Sequence, residues 1–389
     1  MMQASGCNFF CIHFQPMRVR TGIELSRIVF FGADVRELAE GATFSLPGTS
    51  LAVKVRGATS LSIKMDSGLN SFVVRIRDTE SGEEFTDHIN PNSGLRWIEI
   101  SENLVRSRSY YIILSKKSES EIRTAVSCFT PVIVEAVRCD GLFEDLLSDS
   151  VFTPRGWIEV LGDSDACGFG VDGSVTSPSN FFSMDPEKED VYGAWGCQLA
   201  DLLELGPLAA RIIASSGKGV IRNAPFCGSE TIPDLWENLE RSHELIRTTG
   251  PPRFIALMIG GNDYFDHRGP DPDSFFNGFK QFLRVLRNIR GDSVPIFVFQ
   301  CRASCMSSGG SPTVHPNEDE SCVDSANRLC RLTQEAVESA GGKDQSIHFH
   351  ALDLVLNINS DYGIMMHWNR VGQRKIAEAM LRFIHSCCR

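Results

Sequence analysis

The spacing of apolar residues changes near residue 140, and this change limits the folds open to the chain. Between about residues 28 and 140, apolar and polar residues alternate, as at Leu51, Val53 and Val55. A period of two is typical of half-buried β-strands. Further strand-like segments, separated by Gly, Ser, Asn and Asp, lie at 61–65, 72–77, 97–100, 110–114 and 132–137. We therefore predict an antiparallel, jelly-roll-like β-sandwich over residues 25–142.

The second half of the chain alternates strands with helices. Apolar runs predict strands at 157–161, 209–214, 254–259, 294–300 and 347–351. Amphipathic stretches predict helices at 194–205, 274–290, 322–339 and after Asn369. This alternation implies an α/β domain over residues 155–389, with a parallel sheet covered by helices on both faces. Residues 143–154, which are acidic and contain Ser, are the predicted linker, and residues 1–24 are an N-terminal extension.

Composition excludes some classes of function. The chain has 389 residues and a formal net charge of −11, from 38 Lys and Arg against 49 Asp and Glu. Because the basic residues are scattered, a nucleic-acid partner is not expected. No apolar run reaches the roughly 18 residues that suggest a membrane span, and the extension lacks a signal-peptide core. The compartment stays open, since an incomplete N-terminus would hide a secretion signal.

The 13 cysteines do not predict a disulfide framework, because their number is odd and their spacing does not recur. We interpret most of them as buried thiols. Two sets were considered as metal ligands but lack the paired spacing of a structural zinc site: Cys7, Cys11 and His13, and Cys301, Cys305 and His315. The sequence therefore predicts no metal and no cofactor.

Four short polar or glycine-rich blocks stand at chemically informative places. Ser164, Gly217 and Asn262 each follow a predicted strand closely, and His367 precedes the last helix. In an open parallel sheet, ligands bind beyond the carboxyl ends of the strands. We therefore expect the four blocks to converge at that edge.

These blocks, in this order, resemble the Ser, Gly, Asn and His blocks of the SGNH or GDSL hydrolases. The first block, residues 162–170, is similar to the Gly-Asp-Ser-Ile-Thr-Cys-Gly-Tyr-Gly of family 2 carbohydrate esterases. The matching residues are Gly162, Asp163, Ser164, Cys167, Gly168 and Gly170. Segments 214–223 and 232–236 are similar to that family's second block and its sequel. Over residues 28–389, the resemblance implies a jelly-roll domain followed by a flavodoxin-like three-layer α/β/α hydrolase domain.

The resemblance also implies roles for individual residues. Ser164 would be the nucleophile and His367 the base that takes its proton, since a serine hydroxyl is a weak nucleophile by itself. The backbone N–H groups of Ser164 and Gly217 and the side chain of Asn262 would form the oxyanion hole. Asp163 and Asp263, which adjoin two of these residues, are the predicted supporting residues.

The sequence departs from the family pattern at two places. The Asp usually found three residues before the histidine is Ile364 here, so either Asp361 or Asp353 substitutes, or a backbone carbonyl orients the imidazole as in a Ser-His dyad. Asp165 stands beside the nucleophile where an apolar residue is usual. Its carboxylate would disfavour an oxyanion if it pointed inward, and would be harmless if it faced water.

Three functional hypotheses follow. The first is an esterase that removes acetyl or similar groups from a small-molecule or polysaccharide ester. The second is a carbohydrate-binding protein whose hydrolase site has decayed, and the third is a lipase or thioesterase of the same superfamily. The aromatic residues Trp236, Tyr264 and Trp368 either stack on a sugar or pack in the core, and packing is the commoner role for such residues.

Overall fold

The structure is a computed structural model, and it describes most of the chain after the N-terminal extension. The described residues are 28–38, 40–119, 131–146, 156–173, 186–206, 208–225, 227–242, 250–265, 269–301, 319–354, 356–364 and 367–387. Every structural statement below concerns these residues. The predicted extension, Cys7, Cys11, His13, Cys305 and His315 lie outside them.

Two antiparallel sheets form the N-terminal sandwich, as predicted. The first sheet has the order β1 (Val29–Phe31), β4 (Ser50–Arg56), β9 (Ser109–Lys116), β6 (Phe72–Asp78) and β7 (Glu84–Ile89), with β11 (Leu142–Glu144) also pairing with β4. The second has the order β2 (Arg36–Leu38), β3 (Gly41–Phe44), β10 (Val132–Cys139), β5 (Leu61–Asp66) and β8 (Arg96–Ser101). The apolar faces of the two sheets enclose one core, which includes Leu51, Val53 and Val55.

The sandwich extends into the segment predicted as a linker. Strand β11 pairs Phe143 with Val55, and Glu144 forms ion pairs with Lys54 and Arg56 of β4. Glu144, one of the acidic residues that suggested a linker, therefore pairs with two basic side chains on the neighbouring strand. Residues 142–144 thus belong to a strand of the first sheet, the predicted domain boundaries stay a prediction, and residues 147–154 of the predicted linker lie outside the described residues.

A parallel five-stranded sheet forms the second domain, as predicted from the strand–helix alternation. Its order is β13 (Ala210–Ala214), β12 (Ile158–Gly162), β14 (Ile255–Met258), β15 (Ile296–Cys301) and β16 (Ile347–Leu352). The α-helices around it are α1 (Ser164–Cys167), α2 (Trp195–Leu202), α3 (Ile232–Ser242), α4 (Pro272–Arg290), α5 (Asp319–Ser339), α6 (Ile358–Asp361) and α7 (Arg370–Cys387). One apolar core lies between the sheet and helices α2 and α7, and another between the sheet and helices α3, α4 and α5.

The strand order places a binding crevice. Numbered by their order in this domain, the strands run 2-1-3-4-5, so the chain leaves its first strand, β12, in one direction for β13 and in the other for β14. Ligands in such sheets bind where this reversal occurs, beyond the carboxyl ends of the strands. Ser164 follows β12 and Asn262 follows β14, so both lie at that point.

Within the part of the chain that the structure describes, no helix combines the length and apolar character needed to cross a bilayer.

A buried ion network ties the outer helices to the sheet at the end opposite the site. Glu159 on β12 is almost fully buried, and it accepts hydrogen bonds from Arg290 at 2.7 and 2.8 Å and from the indole N–H of Trp236 at 2.8 Å. Arg290 also contacts Glu240. Because a buried carboxylate is costly when unpaired, this network makes the placement of α3 and α4 dependent on one guanidinium.

We predict that Arg290→Met lowers the free energy of unfolding by about 3–5 kcal/mol, because the buried carboxylate of Glu159 then loses the guanidinium that donates two hydrogen bonds to it. Urea denaturation monitored by tryptophan fluorescence measures this loss. The matched control is Arg331→Ala, which removes an exposed i,i+4 pair with Glu335 and should cost no more than about 0.5 kcal/mol. An equal effect of the two substitutions would contradict the prediction.

Candidate active site

The serine lies on a tight strand-to-helix turn. Strand β12 ends at Gly162, and helix α1 begins at Ser164 with Asp163 as its N-cap. A Cβ atom on Gly162 would lie 2.3 Å from the Cβ of Ala166, so the turn requires glycine at the first position and a small residue at the second. The turn leaves Ser164 half-buried at the end of a fully buried strand.

The imidazole of His367 lies against the serine hydroxyl. Its Nε2 is 2.7 Å from Oγ of Ser164, which is hydrogen-bond distance. The imidazole also packs against the ring of Phe169, with 4.6 Å between centroids and 56° between planes. Two of the four sequence blocks therefore meet across 203 residues of chain, and the roles of Ser164 as nucleophile and His367 as base stay predictions.

The loop that carries His367 is docked by its backbone on the first block. The N–H of Ile364 in this loop donates to the carbonyl of Gly170 in the first block at 3.3 Å. Within the histidine loop, the N–H of Gly363 donates to the carbonyl of His367 at 2.7 Å. Gly170 has a φ of +64°, and a Cβ there would lie 2.8 Å from the Cβ of Ile364. The glycine of the first block is thus required for close approach of the histidine loop.

Asn262 joins the third block to the first and second. Its side-chain amide donates to Oδ2 of Asp163 at 3.2 Å and to the carbonyl of Lys218 at 3.0 Å. Asp163 precedes the serine and Lys218 follows Gly217, so the amide lies between the two turns that carry backbone donors. These two contacts use both hydrogens of the amide, so the predicted role of Asn262 in binding an oxyanion requires that substrate replaces one of the two acceptors, and it stays a prediction.

Asp263 holds the backbone of the second block. Its fully buried carboxylate accepts hydrogen bonds from three successive backbone N–H groups, those of Val220, Ile221 and Arg222, at 2.7 to 2.9 Å. Burial raises the pKa of Asp263, and the three N–H donors oppose that rise. The predicted supporting residue therefore acts on the second-block loop rather than on the serine.

Gly217 occupies a crowded position in the second block. Its φ is +74°, its carbonyl accepts a hydrogen bond from the N–H of Ala224 at 2.7 Å, and a Cβ on it would lie 2.1 Å from Sγ of Cys227. Any other residue would push the loop away from segment 224–227. The glycine is therefore required for the backbone conformation of this loop.

The side chain of Asp165 is partly buried. Its Oδ1 accepts long hydrogen bonds from the backbone N–H of Trp368 at 3.5 Å and from the side chain of Gln373 at 3.4 Å, at the start of helix α7. The carboxylate thus contacts the segment that carries His367. Sequence alone could not place it, because its partners lie 203 and 208 residues away.

The two candidate substitutes for the missing triad Asp have other surroundings. Asp361 is fully buried, and its carboxylate accepts hydrogen bonds from Lys375 at 2.7 and 2.8 Å and from the N–H of Asn357 at 2.8 Å. These donors lower the pKa of Asp361 against the opposing effect of burial. Asp361 therefore anchors the loop before His367. Asp353 is exposed just after β16.

The predicted sugar-stacking aromatics are largely buried. Trp236 has no exposed surface and hydrogen-bonds Glu159 at the far end of the sheet, so its predicted contact with substrate is wrong. Tyr264 packs edge-on against Phe275, and Trp368 lies in the core beside α7. The aromatic side chain that is exposed beside the third block is Phe265, at 52%. Phe265 directly follows Tyr264 in sequence. Which of the two aromatic side chains is exposed depends on tertiary packing, so the sequence alone could not choose between them.

Burial dominates the electrostatics around the serine. It raises the pKa of both Asp163 and Asp165, and for Asp163 the charge of Asp165 adds to the rise while His367 opposes it. A carboxyl group beside the nucleophile that holds its proton toward neutral pH adds less negative charge to the site than an ordinary Asp.

The fold has close structural relatives, although sequence comparison finds none. No sequence-family model and no curated protein matches the chain. A family two carbohydrate esterase from Cellvibrio japonicus matches with a TM-score of 0.71 at 18% identity, over 93% of this chain and 95% of that one. One from Clostridium thermocellum, in complex with cellohexaose, matches with a TM-score of 0.68 at 18% identity, over 92% and 98%. An acetyl xylan esterase from Butyrivibrio proteoclasticus matches with a TM-score of 0.64 at 15% identity, over 92% and 95%.

These relatives establish the fold. The chain has the two-domain architecture of family 2 carbohydrate esterases over more than nine-tenths of its length, as the sequence blocks implied. At identities of 15–18%, the likeness does not by itself assign an activity.

We predict that Asp165→Asn stabilises the protein increasingly as pH rises. Because burial raises the pKa of Asp165, the folded state binds a proton more tightly than the unfolded chain. The wild-type protein therefore loses stability as pH rises from about 4 toward neutral, and Asn, which cannot ionise, avoids this loss.

Urea denaturation at pH 5 and pH 8 measures the effect, and we expect the advantage of the variant to grow by about 1–2 kcal/mol between them. Asp273→Asn, at an exposed carboxyl group on α4, is the control and should show no such growth. A constant difference at both pH values would contradict the prediction.

Proposed function

We propose that the protein is a serine esterase of the SGNH type that removes an acyl group, with acetyl as the preferred one, from a carbohydrate. The observation that supports it most is the 2.7 Å contact between Oγ of Ser164 and Nε2 of His367 at the switch point of a parallel sheet. The side-chain amide of Asn262 beside the same turn supplies the third element of an acyl-transfer site.

In the proposed reaction, Nε2 of His367 takes the hydroxyl proton as Oγ of Ser164 attacks the ester carbonyl. The carbonyl oxygen then carries negative charge, and the N–H groups of Ser164 and Gly217 and the amide of Asn262 stabilise it. Collapse releases the sugar hydroxyl, which takes its proton from His367. Water, activated by the same imidazole, hydrolyses the acyl-enzyme and regenerates the serine.

The base is proposed to work without a triad carboxylate from Asp361. That carboxylate is held by Lys375, whereas the imidazole is positioned by the ring of Phe169 and by the docking of its loop on Gly170. A dyad of this kind matches the arrangement that the resemblance to family 2 carbohydrate esterases implies.

The carbohydrate part of the proposal rests on the relatives. One of them is described in complex with cellohexaose and another as an acetyl xylan esterase, and both share the sandwich and the hydrolase domain with this chain. An exposed aromatic side chain, Phe265, stands three residues after Asn262 and offers a surface on which a sugar ring can pack.

We expect Ser164→Ala to reduce turnover of an aryl acetate by at least about 10³-fold, because the nucleophile is removed. Covalent labelling by a serine-directed fluorophosphonate should disappear with it, as shown by intact-protein mass spectrometry. The control is Ser386→Ala, which alters a hydroxyl that bonds within the last turn of α7 and should leave both readouts unchanged. Labelling that persists in Ser164→Ala would refute Ser164 as the nucleophile.

We expect Asn262→Ala to lower kcat for the same ester by about 10²–10³-fold, which is the usual cost of removing one oxyanion donor. KM should change much less, since the donor acts on charge that develops in the transition state. Asn277→Ala, at an exposed amide that contacts Lys280, serves as the control. A loss confined to KM would argue that Asn262 binds substrate instead.

A second candidate function is motivated by Asp165, which stands where the family carries an apolar residue. In that case the protein binds a glycan without cleaving it. Binding to acetylated xylan in a pull-down would then survive Ser164→Ala, and neither form would turn over an aryl acetate.

A further inference from the structure

The two domains share a polar interface close to the candidate site. At the end of strand β9, the carbonyl of Lys117 accepts a hydrogen bond from the N–H of Val191 at 2.9 Å. Asn90 of the sandwich donates to Glu187 at 2.9 Å, and the hydroxyls of Ser50 and Tyr192 lie 3.2 Å apart. The sandwich is therefore docked directly on the segment that surrounds the first block.

Glu119, just beyond β9, passes from the sandwich into the hydrolase domain. It is 5% exposed, and its Oε1 accepts a hydrogen bond from the backbone N–H of Ser216 at 2.7 Å. Its Oε2 accepts a second hydrogen bond from the hydroxyl of Ser216. Ser216 immediately precedes Gly217, so this carboxylate fixes the peptide next to a proposed oxyanion donor.

The same carboxylate also reaches the first block. The buried thiol of Cys167, three residues after Ser164, lies near enough to Glu119 to interact with its carboxylate. Burial, followed by the negative charge of Glu119, raises the pKa of Cys167, so the thiol keeps its proton and remains a donor. One side chain from the other domain thus contacts both turns that would present backbone N–H groups to substrate.

Further buried charges surround this contact. The N–H of Glu119 donates to Glu189 at 2.9 Å, and the fully buried ammonium of Lys116 donates to the carbonyl of Ser118 at 2.6 Å. Burial raises the pKa of Glu189 to about 8 and lowers that of Lys116 to about 8. Buried ionisable groups are costly and are tolerated only with satisfied hydrogen bonds, so the cluster holds Glu119 in one geometry.

We propose that Glu119 is a positioning residue through which the sandwich domain sets the geometry of the oxyanion-hole loop. This inference rests on the proposed esterase function and adds that the site is built by both domains. The effect is expected in kcat, because Glu119 acts on the N–H of Gly217 through Ser216 and does not touch the substrate. A misplacement of about 1 Å in such a group can cost roughly 10²-fold in rate.

The test compares Glu119→Ala and Glu119→Gln with Glu187→Gln in the full chain. Glu187 accepts a hydrogen bond from Asn90 across the same interface, and neither residue belongs to the serine turn or to the Gly217 turn. With an aryl acetate, we expect Glu119→Ala to lower kcat by about 10²-fold with KM within about two-fold. We expect Glu119→Gln to lower kcat by about 10-fold, since its amide oxygen can still accept one hydrogen bond. Glu187→Gln should match the wild type.

Peptide-level hydrogen exchange of residues 214–220 is the second readout and needs no activity. We expect exchange there to become at least about 10-fold faster in Glu119→Ala and to stay unchanged in Glu187→Gln. If Glu119→Ala fails to fold, Glu119→Gln decides. Wild-type kcat or unchanged exchange in the folded variant would overturn the inference. A wild-type protein that neither turns over esters nor reacts with a fluorophosphonate would instead refute the proposed function, and exchange alone would then decide the role of Glu119.

Discussion

The close approach of two backbone segments, residues 168–173 and residues 363–364 just before His367, is the constraint on which the site depends. The serine turn and the histidine loop come from opposite ends of the hydrolase domain, and they touch through main-chain hydrogen bonds that leave no room for a Cβ at Gly170 or Gly363. At this separation of the two segments, the imidazole of His367 reaches the hydroxyl of Ser164 at hydrogen-bond distance. Any residue larger than glycine at these points would separate the loops by more than a hydrogen bond can bridge.

Around that contact, the molecule places carboxylates where water is scarce, and it uses backbone N–H groups rather than cations to hold several of them. Asp263 gathers three consecutive N–H donors, and Glu119 takes one from Ser216. Each such bond fixes a loop through one of its own backbone N–H groups. The arrangement explains why acidic residues are frequent near a site whose proposed chemistry must stabilise a negative oxygen: they organise the donors without facing the reacting atom.

Local pattern was sufficient for most of the fold and for the order of the site blocks. The first two strands of the parallel sheet are short and mostly apolar, with one charged residue each, and the sandwich strand at 50–56 alternates, so the two kinds of strand could be told apart by pattern. Helix α3 was missed although Thr231 and Asp234 form a capping box, with bonds of 2.9 and 3.4 Å between them. The orientation of Asp165, the burial of Trp236 and the reach of Glu119 depend on partners far away in the chain, and no local signal reports such contacts.

The position of Glu119 has a consequence for how such a protein can be rearranged. A two-domain chain joined only by a tether could exchange its first module for another by gene fusion and keep its second intact. Here the hydrolase domain, separated from the sandwich, would lose the acceptor of the backbone N–H and the hydroxyl of Ser216. Another module put in place of the sandwich would therefore have to supply a carboxylate at the same point.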